Sequence, residues 1–110
     1  MLSPSDSIII NDFKRRIPSE IITHILEIIV FGSRVRGDAK VNSDLDIAVL
    51  VDQRTENLEC QLENIAYEVM FDNDFKIIIS LKIFKGEIFQ HALAQGYSFY
   101  RNVKNEGVTV

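Results

Sequence analysis

Phe31-Gly32-Ser33-Arg34-Val35-Arg36-Gly37, followed after a short spacer by Ser43-Asp44-Leu45-Asp46, is the stretch that decides the reading of this chain. Apolar runs flank it, residues 28–31 before and 47–51 after. The pattern predicts a strand, a tight turn and a second strand. Gly32 lets the backbone approach a bound group closely, because it carries no Cβ. Ser33 adds a hydroxyl donor. Backbone N–H groups where a turn opens a short helix favour anions. Arg34 and Arg36 offer charge-assisted hydrogen bonds to phosphate oxygens. Each is equally readable as a surface charge or as a partner of Asp38.

If residues 44–51 form a strand, successive side chains alternate between faces, so Asp44 and Asp46 point the same way. Two carboxylates spaced about 7 Å along one face can converge on a hard cation. Mg²⁺ suits such a pair, taking one or two carboxylates, several waters and substrate phosphates. A Gly-Ser turn alone is usually only a turn, and Asp-x-Asp alone is usually a solvated strand end. Joined between two apolar strands, they describe a site for a metal-bound polyphosphate.

The rest of the chain sets bounds. Its 110 residues suit one domain spanning 1–110, and 46% apolar content supports an ordinary core. A formal charge of −4 gives no basic footprint for long DNA or RNA. The single Cys60 cannot pair within the chain, which fits a reducing cytoplasm. Residues 1–10 lack the basic start of a secretory signal, and no apolar run is long enough to span a bilayer. There is no internal repeat and no linker.

Ser3, Pro4 and Asp6 predict a helix start, with Ile9, Ile10, Phe13 and Ile17 on its apolar face and Pro18 as its stop. Ser19 caps a short second helix through His24. Residues 26–31 and 44–51 read as strands. Residues 54–71 read as a long helix with Leu58, Leu62, Ile65, Ala66, Val69 and Met70 in one stripe. Asp72-Asn73-Asp74 is a turn, and residues 75–84 a third strand whose Lys76 and Lys82 suggest an edge. Ile88, Phe89, Ala92 and Leu93 mark a further helix ending near Gly96, and Ser98 caps a last one closed by Gly107. This order predicts an α/β (α+β) sandwich, a small mixed β-sheet with helices packed against it. His24 and His91 have no ligand-type spacing and read as structural or surface residues. Cys60 and Tyr67 mark either a partner-facing patch or ordinary scattered exposure. Tyr97, Phe99 and Tyr100 suit anchoring of the last helix better than stacking on a base.

Gly32-Ser33, Gly37 and Ser43-Asp44-Leu45-Asp46 together resemble the signature of the DNA polymerase β-like nucleotidyltransferase superfamily. The short length and the Arg34-Val35-Arg36-Gly37 turn resemble its minimal nucleotidyltransferases from bacteria and archaea. The stretch Phe99-Tyr100-Arg101-Asn102-Val103-Lys104 with Glu106-Gly107-Val108 resembles the end of a common subgroup. The resemblance implies a nucleotidyltransferase-like fold and Mg²⁺ or Mn²⁺ as cofactor, with ATP as substrate. It implies Asp44 and Asp46 as catalytic and metal-binding residues, and Gly32, Ser33, Arg34, Arg36 and Ser43 as nucleotide-binding. The expected reaction is transfer of a nucleoside monophosphate, AMP, to an acceptor hydroxyl. The expected partner is a small helical HEPN-domain toxin, which the chain, as its antitoxin, would neutralise by adenylylating a tyrosine. A homo-oligomer is left open.

One departure divides this expectation. The superfamily carries a third acid on a later strand, beside the Asp pair. Residues 75–84 contain no Asp or Glu, and Lys76, Ile78 and Ser80 fall where the acid belongs. Asp72, Asp74 and Glu87 flank that strand. Two readings follow: a transferase acting on a protein, or a catalytically weak nucleotide-binding module that neutralises its partner by binding alone. Transfer to a small molecule is a third, with little room for an acceptor site.

Overall fold

Ser3 starts the first helix, α1 (Pro4–Arg16), with a reciprocal cap: its Oγ accepts from the Asp6 N–H at 3.1 Å, and the Asp6 carboxylate accepts from the Ser3 N–H at 3.4 Å. In the computed structural model, which describes residues 2–38 and 43–110, α1 buries Ile9, Ile10 and Phe13. Lys14, Arg15 and Arg16 occupy its last turn, complementing the helix dipole. Pro18 then leads into the single turn α2 (Ser19–Ile22). That turn stops short of His24, whose N–H already bonds back to the Ile21 carbonyl at 2.9 Å as the chain swings into β1 (Ile25–Phe31).

After the turn α3 (Ser33–Arg36), β2 (Leu45–Val51) returns antiparallel to β1, with Phe31 opposite Asp46 and Val30 opposite Ile47. The long helix α4 (Glu56–Asp72), capped by the Thr55 hydroxyl, crosses back so that β3 (Ile79–Lys85) lies parallel to β2. Two helices follow, α5 (Gly86–Ala94) and α6 (Ser98–Glu106). A two-residue strand, β4 (Val108–Thr109), pairs antiparallel with the free edge of β1. The four-stranded mixed sheet has the order β3-β2-β1-β4.

Alternation along the strands divides the core. Val30, Ile47, Val49 and Ile83 face α1 and α4, meeting Phe13, Leu62 and Val69. Ile29, Phe31, Ala48 and Leu50 face the other way and pack on Phe89 of α5 and Val103 of α6. β2 is buried on both faces, which explains its continuous apolar run. No helix among the described residues is long and apolar enough to cross a membrane.

Two further expectations need correction, and one element is new. β3 begins at Ile79, not at 75, because α4 runs through Asp72 and needs room to reverse. The Asn73 side chain caps the Val69 carbonyl at 2.7 Å, and Asp74 and Phe75 take left-handed φ of 56° and 53°. The last helix is preceded by Tyr97 at its N-cap, with no side-chain cap from Ser98. β4 was not expected; two residues carry no periodicity, and only pairing with the distant β1 makes them a strand.

Candidate functional site

The turn between β1 and α3 is shaped by one glycine. Gly32 has φ 87° and ψ −165°, a conformation that side-chain-bearing residues rarely adopt. A Cβ placed on it would stand 2.2 Å from Oδ2 of Asp46. The backbone therefore lies directly against that carboxylate. The Gly32 carbonyl accepts from the N–H groups of Val35 and Arg36, both at 3.1 Å, and Gly37 closes the turn in the left-handed region.

Asp46 shares the α5/α6 face of the sheet with Phe31, its partner on β1, and with Ser80, its partner on β3. Partial burial holds its carboxyl above the usual carboxylate range, and the nearby charge of Asp44 pushes it further. Lys82, a hydrogen bond from Ser80 and Arg36 pull in the opposite direction. Asp44 is exposed, just before β2. Gly32, Ser33, Arg36 and Asp46 line one side of a cavity of about 350 Å³. Phe99, Asn102 and Glu106 of α6 line the other. The Arg36 guanidinium spans the opening to reach Glu106 at 3.5 Å. It also lies 3.4 Å from Asp38.

Arg34 is placed elsewhere. Its Nη1 donates to Asp6 Oδ1 at 2.8 Å and its Nε to the Ser43 carbonyl at 2.8 Å. Both charged side chains are largely buried, at 14% and 4% exposure. The pair pins α3 and the entry to β2 onto α1. A larger cavity, about 430 Å³, lies on that side, between α1 and the α4–β3 turn. Ile8, Arg34 and Lys76 line it, but neither Ser33 nor Asp46 does.

Of the three residues expected where a third acid belongs, Ser80 stands beside Asp46. Lys76 and Ile78 precede the strand. Two of the flanking acids are engaged, Asp72 accepting from Arg16 at 2.6 Å and Glu87 pairing with Lys85 at 3.7 Å, and Asp74 is exposed in the turn after α4. Among the described residues no three His, Cys, Asp or Glu side chains gather closely enough to hold a metal ion. His24 forms an exposed pair with Asp52 at 3.0 Å, and Cys60, Tyr67 and His91 are on the surface. The contributions of Asn102 and Glu106 were not anticipated. Their spacing from Phe99, one stripe on a helix, was the available signal.

The polymerase beta nucleotidyltransferase family matches residues 14–105 of the chain. No curated protein sequence matches it. Among solved structures, a chain from a toxin–antitoxin complex with AMP-PNP is similar, with 23% identity and a TM-score of 0.56 over 94% of this chain and 70% of that one. A chain from a mutant of the toxin–antitoxin pair MntA–HpeT, with two aspartates two positions apart replaced by glutamate, is similar at 21% identity and a TM-score of 0.54, with the same coverage.

Proposed function

The chain belongs to the polymerase beta nucleotidyltransferase family, and on that premise we propose that it binds ATP with Mg²⁺ or Mn²⁺ and transfers AMP to a hydroxyl of a partner protein. The observation that carries this reading is the approach of the Gly32 backbone to the Asp46 carboxylate within one cavity. That juxtaposition suits a triphosphate running alongside the turn's backbone and the acidic pair together.

The donor set fits a divalent ion. Asp46 is partly desolvated and repelled by Asp44, and a hard cation relieves both. Asp44 and Asp46 would hold it, and when bound it neutralises charge that builds on the leaving pyrophosphate. The Gly32 and Ser33 N–H groups and the Ser33 hydroxyl hold phosphate oxygens. Arg36 exchanges Glu106 for a phosphate. The acceptor hydroxyl gives its proton to water as its oxygen attacks the α-phosphorus, the bond to the bridging oxygen breaks, and pyrophosphate leaves. Arg34 keeps the turn in place through Asp6 and Ser43, and so acts at a distance from the phosphates.

The likeness to toxin–antitoxin structures favours a toxin as the acceptor, with this chain as its antitoxin. The motif resemblance makes that toxin a small helical HEPN-domain protein, and the single Cys60 fits a cytoplasmic setting. A second reading has its own support. Ser80 occupies the strand position beside Asp46, with Lys82 next on the same face, which favours a module that binds nucleotide and partner with weak turnover.

The test is intact mass of the co-purified pair after incubation with ATP and Mg²⁺, beside thermal melts. ATP at a hundred times its dissociation constant should stabilise the chain by roughly 2.7 kcal/mol, only with the metal. Asp44→Asn with Asp46→Asn should abolish the gain. A mass increase of one AMP on the partner supports transfer. A melt shift without a mass increase supports the second reading, and no metal-dependent shift refutes both.

A further inference from the structure

Phe99 packs against Phe31 at 5.9 Å and 90°, against Tyr100 at 5.3 Å and 89°, and against Phe84 at 6.1 Å, yet it remains 40% exposed. Anchoring α6 does not require this exposure. Val103, 1% exposed, already ties the helix to the sheet, and Tyr100 adds to it through Phe84 and Phe89. The neighbouring rings fix the orientation of Phe99 while leaving part of it open to the cavity. A ring held in this way is a stacking platform whose ordering entropy is already spent on folding.

Asn102 follows one turn later and lines the same cavity. Its side-chain amide makes no hydrogen bond among the described residues. Glu106 lies a further turn along, facing Arg36. The stripe thus presents an aromatic ring, a free amide and a carboxylate over about 10 Å of helix. It stands opposite the turn read above as the phosphate cradle. The cavity, about 350 Å³, falls within the range of small-molecule sites.

Resting on that reading of the turn, we infer that Phe99 and Asn102 form the nucleobase subsite and select adenine. The base stacks on Phe99, and the Asn102 amide pairs its carbonyl with the N6 amino group and its NH₂ with N7. Guanine presents two acceptors on that edge, O6 and N7, which one amide cannot match in the same pose. A pyrimidine covers less of the ring.

The test is equilibrium titration of the whole chain with ATP, GTP, CTP and inorganic tripolyphosphate, each with Mg²⁺. The native protein should bind ATP on the order of tenfold tighter than tripolyphosphate. Phe99→Leu, which keeps apolar bulk without a π face, should bring ATP to the level of tripolyphosphate. Asn102→Ala, a surface change, should remove the preference for ATP over GTP. Neither variant should alter tripolyphosphate binding. Equal binding of ATP and tripolyphosphate by the native chain would overturn the inference and leave the phosphate cradle standing. So would ATP selectivity that survives in Asn102→Ala. Tripolyphosphate binding that is absent, or indifferent to Asp44→Asn with Asp46→Asn, would remove the cradle and the base subsite together.

Discussion

Ser80→Asp is the most searching perturbation of this site. Ser80 and Asp46 are register partners on adjacent parallel strands, so their side chains leave the same face of the sheet about 5 Å apart. Two carboxylates at that spacing repel by roughly 3 kcal/mol at an effective dielectric of about 20. Lys82, which already lowers the proton affinity of Asp46, offsets part of this, and losing the Ser80 hydrogen bond adds to it. The metal-free variant should be destabilised by about 1–2 kcal/mol, a fall of roughly 5 °C for a domain of this size. Three carboxylates then bind a divalent ion far better than two. Saturating Mn²⁺, at about a hundred times the dissociation constant, returns some 2.7 kcal/mol. The assay is thermal melting in chelator and in Mn²⁺, followed by AMP transfer. A variant as stable as the native chain in chelator, and no more responsive to Mn²⁺, would refute the placement of Ser80 beside Asp46.

Gly32→Val should lose phosphate binding outright, because its Cβ collides with Asp46 and its backbone is strained, whereas Ser33→Ala should cost only about 0.5–1.5 kcal/mol. Equal effects by titration would count against the cradle. Arg34→Ala should lower stability by about 3–5 kcal/mol in urea melts, because it strands the buried Asp6. A variant of native stability with weakened nucleotide binding would place Arg34 at the phosphates instead. Asp46→Asn concerns pH. The folded carboxyl of Asp46 titrates above its unfolded value, so ionising it costs stability, and that cost appears as pH rises through and beyond the carboxylate range. The metal-free Asp46→Asn variant should therefore match or exceed the native melting temperature at pH 7, and the difference should shrink as pH falls below 4. A variant less stable at pH 7 would show that the ionised carboxylate supports the fold.

What was legible in the sequence was local. The turn could be read because Gly32 is the residue type that a positive φ demands, and Asp46 could be placed on a strand beside it; Asp44, expected on the same strand, instead precedes β2. β1 and β2 lie within one residue of their expected bounds. The non-local features were hidden. Arg34 finds Asp6, 28 positions away, only once α1 packs beside α3. Residues 75–78 look like strand because Phe75, Ile77 and Ile78 are apolar, but the exit from α4 consumes them. The α6 wall of the cavity required knowing that the last helix crosses the sheet face that carries Asp46.

β4 has a mechanical consequence. Val108 and Thr109 pair with β1, the Val110 N–H bonds to the Ile28 carbonyl at 2.9 Å, and the Thr109 hydroxyl donates to Glu27 at 2.6 Å. Gly107 links this strip to Glu106 through a passage so narrow that an added Cβ would lie 2.4 Å from the Ile29 side chain. The short strip therefore works as a latch. It covers an edge of the sheet that another polypeptide could otherwise extend, and it tensions the end of α6 that closes the cavity. A competing strand that peeled the latch away would loosen Glu106 and its hold on Arg36 in the same movement. In hydrogen exchange, the amides of Gly107 and Val110 and those at the end of α6 should then lose protection together.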